Sequence, residues 1–456
     1  MMLIRTFAIA VLTVREAIRS KLLLSLASLL VVGLVGLPLL IAGDNTLAGQ
    51  IQVILTYTLT FAAAILSLTT LGTACGGVSS EIEDRRLYLV MTKPLHRSEL
   101  WLGKWLGVLA LNAALLALTG LIISAMARQT IHSAKDSPQV KRQMTEQFLM
   151  ARQGLQPITP DWSRLAAEAT RRLIQSGRAS GKMMSAEIQQ RMIEELNIRR
   201  FTIAPGGSIQ FLFQRPDTKN SSHDLILSYK SESTRPERTP VAALWTIGSD
   251  QADQIHINVT NYPGVPATLT FADKLSTGTN ILSVTYQRLD ARSQATLIMA
   301  DKTQEPELLV PYGGFEMNLL RSLLVILCRL AFLAALGLTF GCLLSTPVAV
   351  FAAFFVLILM ASAGYIESVA TSGVFFVPHE GPAEELTRLD KMILHLFRGF
   401  NMITLPLIRL DPVPLLAAGR VVSCEMAILA LGWLAGLYTT IAAFIGITLF
   451  NRRELG

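Results

Sequence analysis

Long apolar runs alternate with short charged segments along most of this chain, and the alternation lapses once, in a polar stretch near the middle. Six runs predict transmembrane helices: Leu22–Ala42, Ile51–Cys75, Leu102–Ala125, Leu319–Leu344, Val348–Ala370 and Glu425–Phe450. The warrant is length, because an apolar helix of about 20 residues spans the hydrocarbon core. Ser345-Thr346-Pro347 leaves only a tight joint between the fourth and fifth runs. Ahead of the first run, Leu3, Phe7, Val11, Val14 and Ile18 recur at helical spacing. Arg5, Arg15, Glu16, Arg19 and Lys21 fall mostly elsewhere on the wheel, so residues 1–21 predict an amphipathic helix lying in the membrane interface.

The polar stretch, residues 128–318, changes period partway along. Residues 135–198 predict helices, with Asp161, Ser163 and Ser185 as candidate caps and Gly177 as a stop. Residues 201–310 are β-rich instead. Phe201–Ile203, Ser208–Phe213, Asp224–Tyr229, Ala242–Ile247, Gln254–Val259, Ala267–Phe271, Asn280–Gln287 and Ala295–Met299 are short strand candidates. Turn signals such as Pro205-Gly206-Gly207 and Tyr262-Pro263-Gly264 separate them, which is the pattern of a β-sandwich or jelly roll. The expected fold is therefore a polytopic α-helical membrane protein with six spans and an interfacial helix. An α+β domain is inserted between the third and fourth spans. Residues 371–424 hold a helix-like segment near Ala383–Phe400, then Pro406, Pro412 and Pro414, then apolar Leu415–Val422. They predict a surface helix and a re-entrant element before the last span.

Composition agrees with a bilayer. The 456 residues are 51% hydrophobic and 16% charged, where a soluble chain carries about a quarter charged residues. Net charge is +7, and the basic residues are scattered, which suits anionic lipid rather than nucleic acid. Short basic segments mark the cytoplasmic side. Residues 1–21, residues 76–101 and the tail with Arg452 and Arg453 carry them, so both termini are expected in the cytoplasm, at the inner membrane of a bacterium. Residues 128–318 then fall outside. The N-terminus lacks a small-residue cleavage site and reads as uncleaved. Cys75, Cys328, Cys342 and Cys424 lie in or beside apolar runs, so no disulfide framework is expected.

Between spans 2 and 3 sits the densest charged block. It contains Glu81, Glu83, Asp84, Arg85, Arg86, Lys93, Pro94, Arg97 and Glu99, and runs into Trp101-Leu102-Gly103-Lys104-Trp105. Pro94 disfavours helix at Lys93 and splits the segment. Mixed charge suits a docking surface that needs a specific register. With the six-span pattern, the interfacial helix and the tight joint, these residues resemble a permease subunit of the ABC-2 (type V fold) transporter family. The resemblance covers residues 1–127 and 315–456. It implies that Glu81, Glu83, Asp84, Arg85, Arg86, Lys93, Pro94, Arg97, Glu99 and Lys104 form a coupling helix that docks on a separate ABC ATPase subunit. It also implies dimerisation with a second or homologous permease. The large external insertion departs from many members and leaves the substrate open.

No Walker A motif occurs. Gly177-Arg178-Ala179-Ser180-Gly181-Lys182-Met183 has the wrong spacing and lacks Ser or Thr after Lys. The chain is expected to be no enzyme and to hold no cofactor, with ATP and magnesium bound by the partner. His379, Glu380, Glu384, Glu385 and His395 are poorly spaced for one face, so no metal site is expected. Intramembrane Arg329 and Glu367 are expected either to pair or to line a pathway, as buried ionisable groups in membranes do. Arg321, Arg420 and Glu425 read as interfacial anchors. An alternative function is mechanotransmission, in which ATP moves the external domain and nothing crosses, or that of a receptor-like membrane protein that acts through that domain without transport. Membrane lipids and an external accessory protein complete the expected partners.

Overall fold

A computed structural model describes residues 2–41, 47–83, 96–133, 150–158, 164, 167, 171, 202–214, 224–233, 240–248, 254–271, 281–289, 297–298, 306–372 and 388–452. The chain divides into two compact units, Met1–Ala151 with Gly313–Gly456, and Arg152–Tyr312.

The first unit is helical. Its elements are α1 Met2–Arg19, α2 Lys21–Leu40, α3 Leu47–Val53, a π-helical turn at Ile54–Thr58, α4 Leu59–Glu83 and α5 Arg97–Ser133. After the insertion come α6 Phe315–Leu343, α7 Thr346–Ala361, α8 Ala363–Ser372, α9 Arg388–Arg409, α10 Val413–Ala417, α11 Cys424–Ala430, a second π-helical turn at Leu431–Tyr438, and α12 Thr439–Arg452. Among the described residues, five helices are long and apolar enough to cross a membrane: Lys21–Leu40, Gln50–Glu83, Arg97–Thr130, Phe315–Leu343 and Cys424–Arg452. They mark the chain as a membrane protein.

The expected span Val348–Ala370 is not one continuous helix. α7 has 16 residues, about 24 Å of rise, which is short of a core about 30 Å thick. It closes at Ser362, whose N–H donates back to the Ile358 carbonyl at 2.9 Å, and α8 starts afresh at Ala363. Hydropathy runs straight through this break, so the apolar pattern does not reveal it. Ahead of α11, the helical pair His395–Met402 and Thr404–Ala417 bends by 50°, where the sequence predicts a re-entrant element.

Small residues set the packing. A Cβ at Gly337 of α6 would stand 2.7 Å from the Ala74 Cβ of α4, and one at Gly341 would stand 2.6 Å from the Cys75 carbonyl oxygen. Only hydrogen at both positions lets the two backbones approach this closely, as small-xxx-small pairs do in membranes. Gly103 and Gly107 of α5 do the same for α1. A Cβ at either would fall 2.6–2.7 Å from the Cβ of Ile9 or Thr13. The expected apolar stripe of α1 therefore faces away from the bundle. Thr6 and Ala10 are buried, whereas Leu3 is 87% and Phe7 69% exposed.

The second unit is a β-sandwich. One sheet has the order β1 (Met150–Leu155), β11 (Glu307–Gly314), β4 (Leu225–Lys230), β8 (Pro266–Phe271). The other runs β3 (Ser208–Gln214), β9 (Ile281–Arg288), β6 (Val241–Ile247), β7 (Ile255–Asn261). A minor sheet joins β2 (Thr202–Ile203), β10 (Leu297–Ile298) and β5 (Glu232–Ser233). Phe211, Phe213, Trp245, Val284 and Tyr286 of one large sheet share a core with Leu227, Tyr229, Leu269, Phe271 and Leu308 of the other. Alternation explains this, because successive strand residues point to opposite faces, and β6 is buried at every odd position from Val241 to Ile247. All eight strand candidates have counterparts, and Gly206 and Gly264 turn the chain at φ 71° and 86°.

One segment corrects the expected helices of 135–198. Residues 150–155 form β1 rather than helix. Arg152 is buried and donates to the Asp224 carbonyl at 2.7 Å. Gly154 lies against the Glu307 side chain, leaving no room for a Cβ. Tertiary pairing overrides the helical propensity of Met-Ala-Arg-Gln here. The other helical expectations fall largely outside the described residues.

Burial in the sandwich has a measurable consequence. Desolvation chiefly, with the neighbouring Tyr229, raises the Tyr286 phenol from 10.0 to about 12, against a lesser lowering by Arg288. The folded state thus holds this proton more tightly than the unfolded state does. The stability it lends is fully present below pH 10 and is lost as pH rises toward 12, on the order of 2–3 kcal/mol. Absorbance titration at the tyrosinate band should show Tyr286→Phe removing a late-titrating phenol and flattening the loss of stability over this window.

Candidate functional site

The described ends of the charged block are joints between helices. Lys104, about two turns into α5, is 4% exposed and would be an isolated buried cation. Its Nζ lies 2.6 Å from Glu81 Oε1 and donates to the Gly77 carbonyl at 3.0 Å, both on α4. Glu83, in the last turn of α4, reaches the start of α7. There Oε1 accepts the Thr346 backbone N–H at 2.9 Å, and Oε2 lies 3.0 Å from the Thr346 hydroxyl. The α7 cap residue, Ser345, makes no side-chain cap of its own. Glu83 supplies it, placing negative charge where a helix N-terminus favours it.

Arg97 and Glu99 complete the set. Glu99 is 2% exposed, and its Oε2 accepts the His96 N–H at 3.2 Å, half of a capping box at the start of α5. The Arg97 guanidinium donates to the Phe450 carbonyl in the last turn of α12 and stands 5.1 Å over the Phe450 ring, combining a C-terminal cap with a cation–π contact. Trp101 and Trp105, which follow the block, pack within the bundle. Trp101 is buried, and Trp105 Nε1 donates to the Ala331 carbonyl of α6 at 2.9 Å. One end of the bundle thus gathers the ends of α4 and α12 and the starts of α5 and α7. Asp84, Arg85, Arg86, Lys93 and Pro94 lie outside the described residues.

The second constellation lies within the same unit. A cavity of about 850 Å³ is lined by α4 with its preceding π-helical turn, by α6, by α7, and by Asp411 with α10. Thr56, Thr60 and Ser67 bring hydroxyls to it; Phe354, Leu357 and Ile358 form an apolar wall. Arg329, at the midpoint of α6, lines it, and its Nε has no hydrogen-bond partner among the described residues. The acidic lining residue is Asp411, whose charge acts on Arg329. Asp411 Oδ1 accepts the Val413 N–H at 3.1 Å and so starts α10. Glu367, expected either to pair with Arg329 or to line a pathway with it, is not among the described residues that line this cavity.

Two residues escape sequence reasoning. Asp411 had a signal: Asp followed by Pro412 and an apolar turn is an N-terminal cap pattern. Asn318 had none. Its Nδ2 donates to the Arg420 carbonyl at 2.8 Å, and its Oδ1 accepts the Val422 N–H at 2.7 Å, pinning the chain between α10 and α11 to α6. Arg321 donates to the Val422 carbonyl at 3.5 Å, so this expected interfacial anchor also grips that segment. No cluster of metal-ligating side chains occurs among the described residues.

Compared with models of known protein families, with curated proteins and with solved structures, the chain matches none.

The Glu81–Lys104 joint predicts a specific stability pattern. Glu81→Gln strands the buried ammonium and should cost about 3 kcal/mol, whereas Glu81→Leu with Lys104→Met removes both charges and should recover most of it. Mixed-micelle unfolding of the two variants beside the native chain measures the difference.

Proposed function

We propose that this chain is the membrane-spanning permease subunit of an ABC exporter, driven by ATP hydrolysis on a separate subunit that docks on residues 76–101. Under this reading it contains no catalytic site and binds no cofactor, and it works as a dimer with a second or homologous permease. Its termini lie in the cytoplasm, the membrane is the inner one, and residues 128–318 lie outside. Six spans are reached by counting α7 and α8 as one span broken at Ser362.

The observation that carries the reading is the clamping of both ends of the charged block. Glu83 holds the start of α7, and Arg97 holds the end of α12. A force applied to the intervening residues is therefore delivered to four helices at once. Such a device shifts an equilibrium only if the docked partner contacts its two states differently. Nucleotide-dependent docking meets that requirement. A mechanotransmission version is favoured by the separate core of the Arg152–Tyr312 unit, which gives ATP-driven motion a folded body to act on.

The test is isolation of the full chain from its native membrane. A Walker-A ATPase subunit should accompany it, and the complex should hydrolyse ATP. Arg85→Glu with Arg86→Glu should release the ATPase. Glu83→Gln should leave it bound while lowering transport per ATP several-fold. Isolation with no ATPase, or an ATPase retained by the Arg85→Glu, Arg86→Glu double variant, overturns the reading. Transport into sealed vesicles separates export from mechanotransmission.

A further inference from the structure

The cavity beside Arg329 has an unusual charge arrangement for an intramembrane space. It holds one guanidinium and one carboxylate, yet no ion pair closes between Arg329 and Asp411 among the described residues. The Arg329 Nε has no hydrogen-bond partner among the described residues, and one Asp411 oxygen is committed to the Val413 N–H. Two opposite charges that share a low-dielectric cavity without meeting attract each other across a gap, and neither gains a direct charged contact. A ligand carrying both charges, in the complementary order, would satisfy them.

We propose that this cavity binds a zwitterionic membrane lipid with a phosphate and a primary ammonium, the phosphate on Arg329 and the ammonium on Asp411. Three observations select this class. Arg329 and Asp411 together sum to zero, so a neutral headgroup keeps the cavity neutral, whereas an anionic one leaves net charge in a medium that penalises it. Guanidinium is the side chain best shaped for phosphate. Carboxylate suits an ammonium with N–H donors, and Phe354 is the sole aromatic among the described lining residues, so no aromatic cage favours a quaternary amine. The wall of Phe354, Leu357 and Ile358 accepts acyl chain, while Thr56 and Thr60 offer hydroxyls to the headgroup region. A volume of about 850 Å³ falls within the ~300–1,000 Å³ typical of small-molecule sites.

As a statement of what is transported, the proposal rests on the permease reading; as a statement of binding, it rests on the cavity alone. The experiment therefore uses the full chain without any ATPase. Purified chain is equilibrated with mixed micelles containing phosphatidylethanolamine, phosphatidylcholine and phosphatidylglycerol, and retained lipid is counted by native mass spectrometry. Phosphatidylethanolamine should be retained about tenfold over both competitors, the effect of one charged hydrogen bond. Arg329→Gln should abolish the preference and Arg329→Lys should keep most of it. Asp411→Asn, which preserves the acceptor for Val413, should turn the preference toward phosphatidylglycerol. Equal retention of the three lipids by the native chain overturns the proposal. So does a preference that Asp411→Asn leaves unchanged, a readout that stands even where Arg329→Gln fails to fold. Loss of ATPase association would refute the permease reading and leave this result untouched.

Discussion

The helical unit depends on how closely α6 approaches α4. Gly337 and Gly341 present backbone to Ala74 and Cys75, at distances that admit no Cβ. In a bilayer, apolar side chains gain little by leaving lipid for protein, so association relies on close packing and hydrogen bonds. The opposite side of α6 is used in the same way. Thr339 Oγ1 lies 2.9 Å from the Ala442 carbonyl of α12, and a Cβ at Gly446 would fall 2.6 Å from that hydroxyl oxygen. α6 is accordingly the most buried of the candidate spans, at 61%. Every polar feature of interest in this unit hangs from it or from a direct neighbour.

That central helix gives the charged residues their meaning. Near its start Asn318 grips the chain before α11. At its midpoint Arg329 faces the cavity. Beyond its end Thr346 receives the Glu83 carboxylate. The charges of the block between the second and third spans are thus spent inward where they are described. Glu81 neutralises Lys104, Glu83 caps α7, Glu99 caps α5, and Arg97 caps α12. Mixed charge in a short segment between spans suits a contact with a partner; where the segment is described, its charges serve contacts among helix ends.

Legibility in the sequence varied by the kind of signal. The β-strands were readable as short β-rich runs bounded by turn signals; the period-two alternation of Val241–Ile247 is one of burial, since Ala242 and Leu244 are apolar as well. The turns at Gly206 and Gly264 were readable because positive φ selects glycine. The break at Ser362 within the apolar run 348–370 was not readable because hydropathy is blind to it. β1 was missed because its helix-compatible residues take their conformation from a neighbouring strand, in a slot that Gly154 leaves against Glu307. Arg329 was expected to pair with Glu367 or to line a pathway; it lines the cavity, where Asp411 comes from a bent segment whose path no periodicity describes.

What the sequence determined alone is whatever follows from local periodicity and composition: that this is a membrane protein, where its long helices run, and that a β-rich unit interrupts them. These properties depend on residues within a few positions of one another, or on average transfer energies, and need no knowledge of neighbours in space. Tertiary structure decided which polar groups meet. Glu83 with Thr346, Arg97 with Phe450 and Asn318 with Val422 are separated by 263, 353 and 104 positions. Their pairing is set by which helices approach closely enough, and that approach is controlled by the absence of side chains at a few glycines.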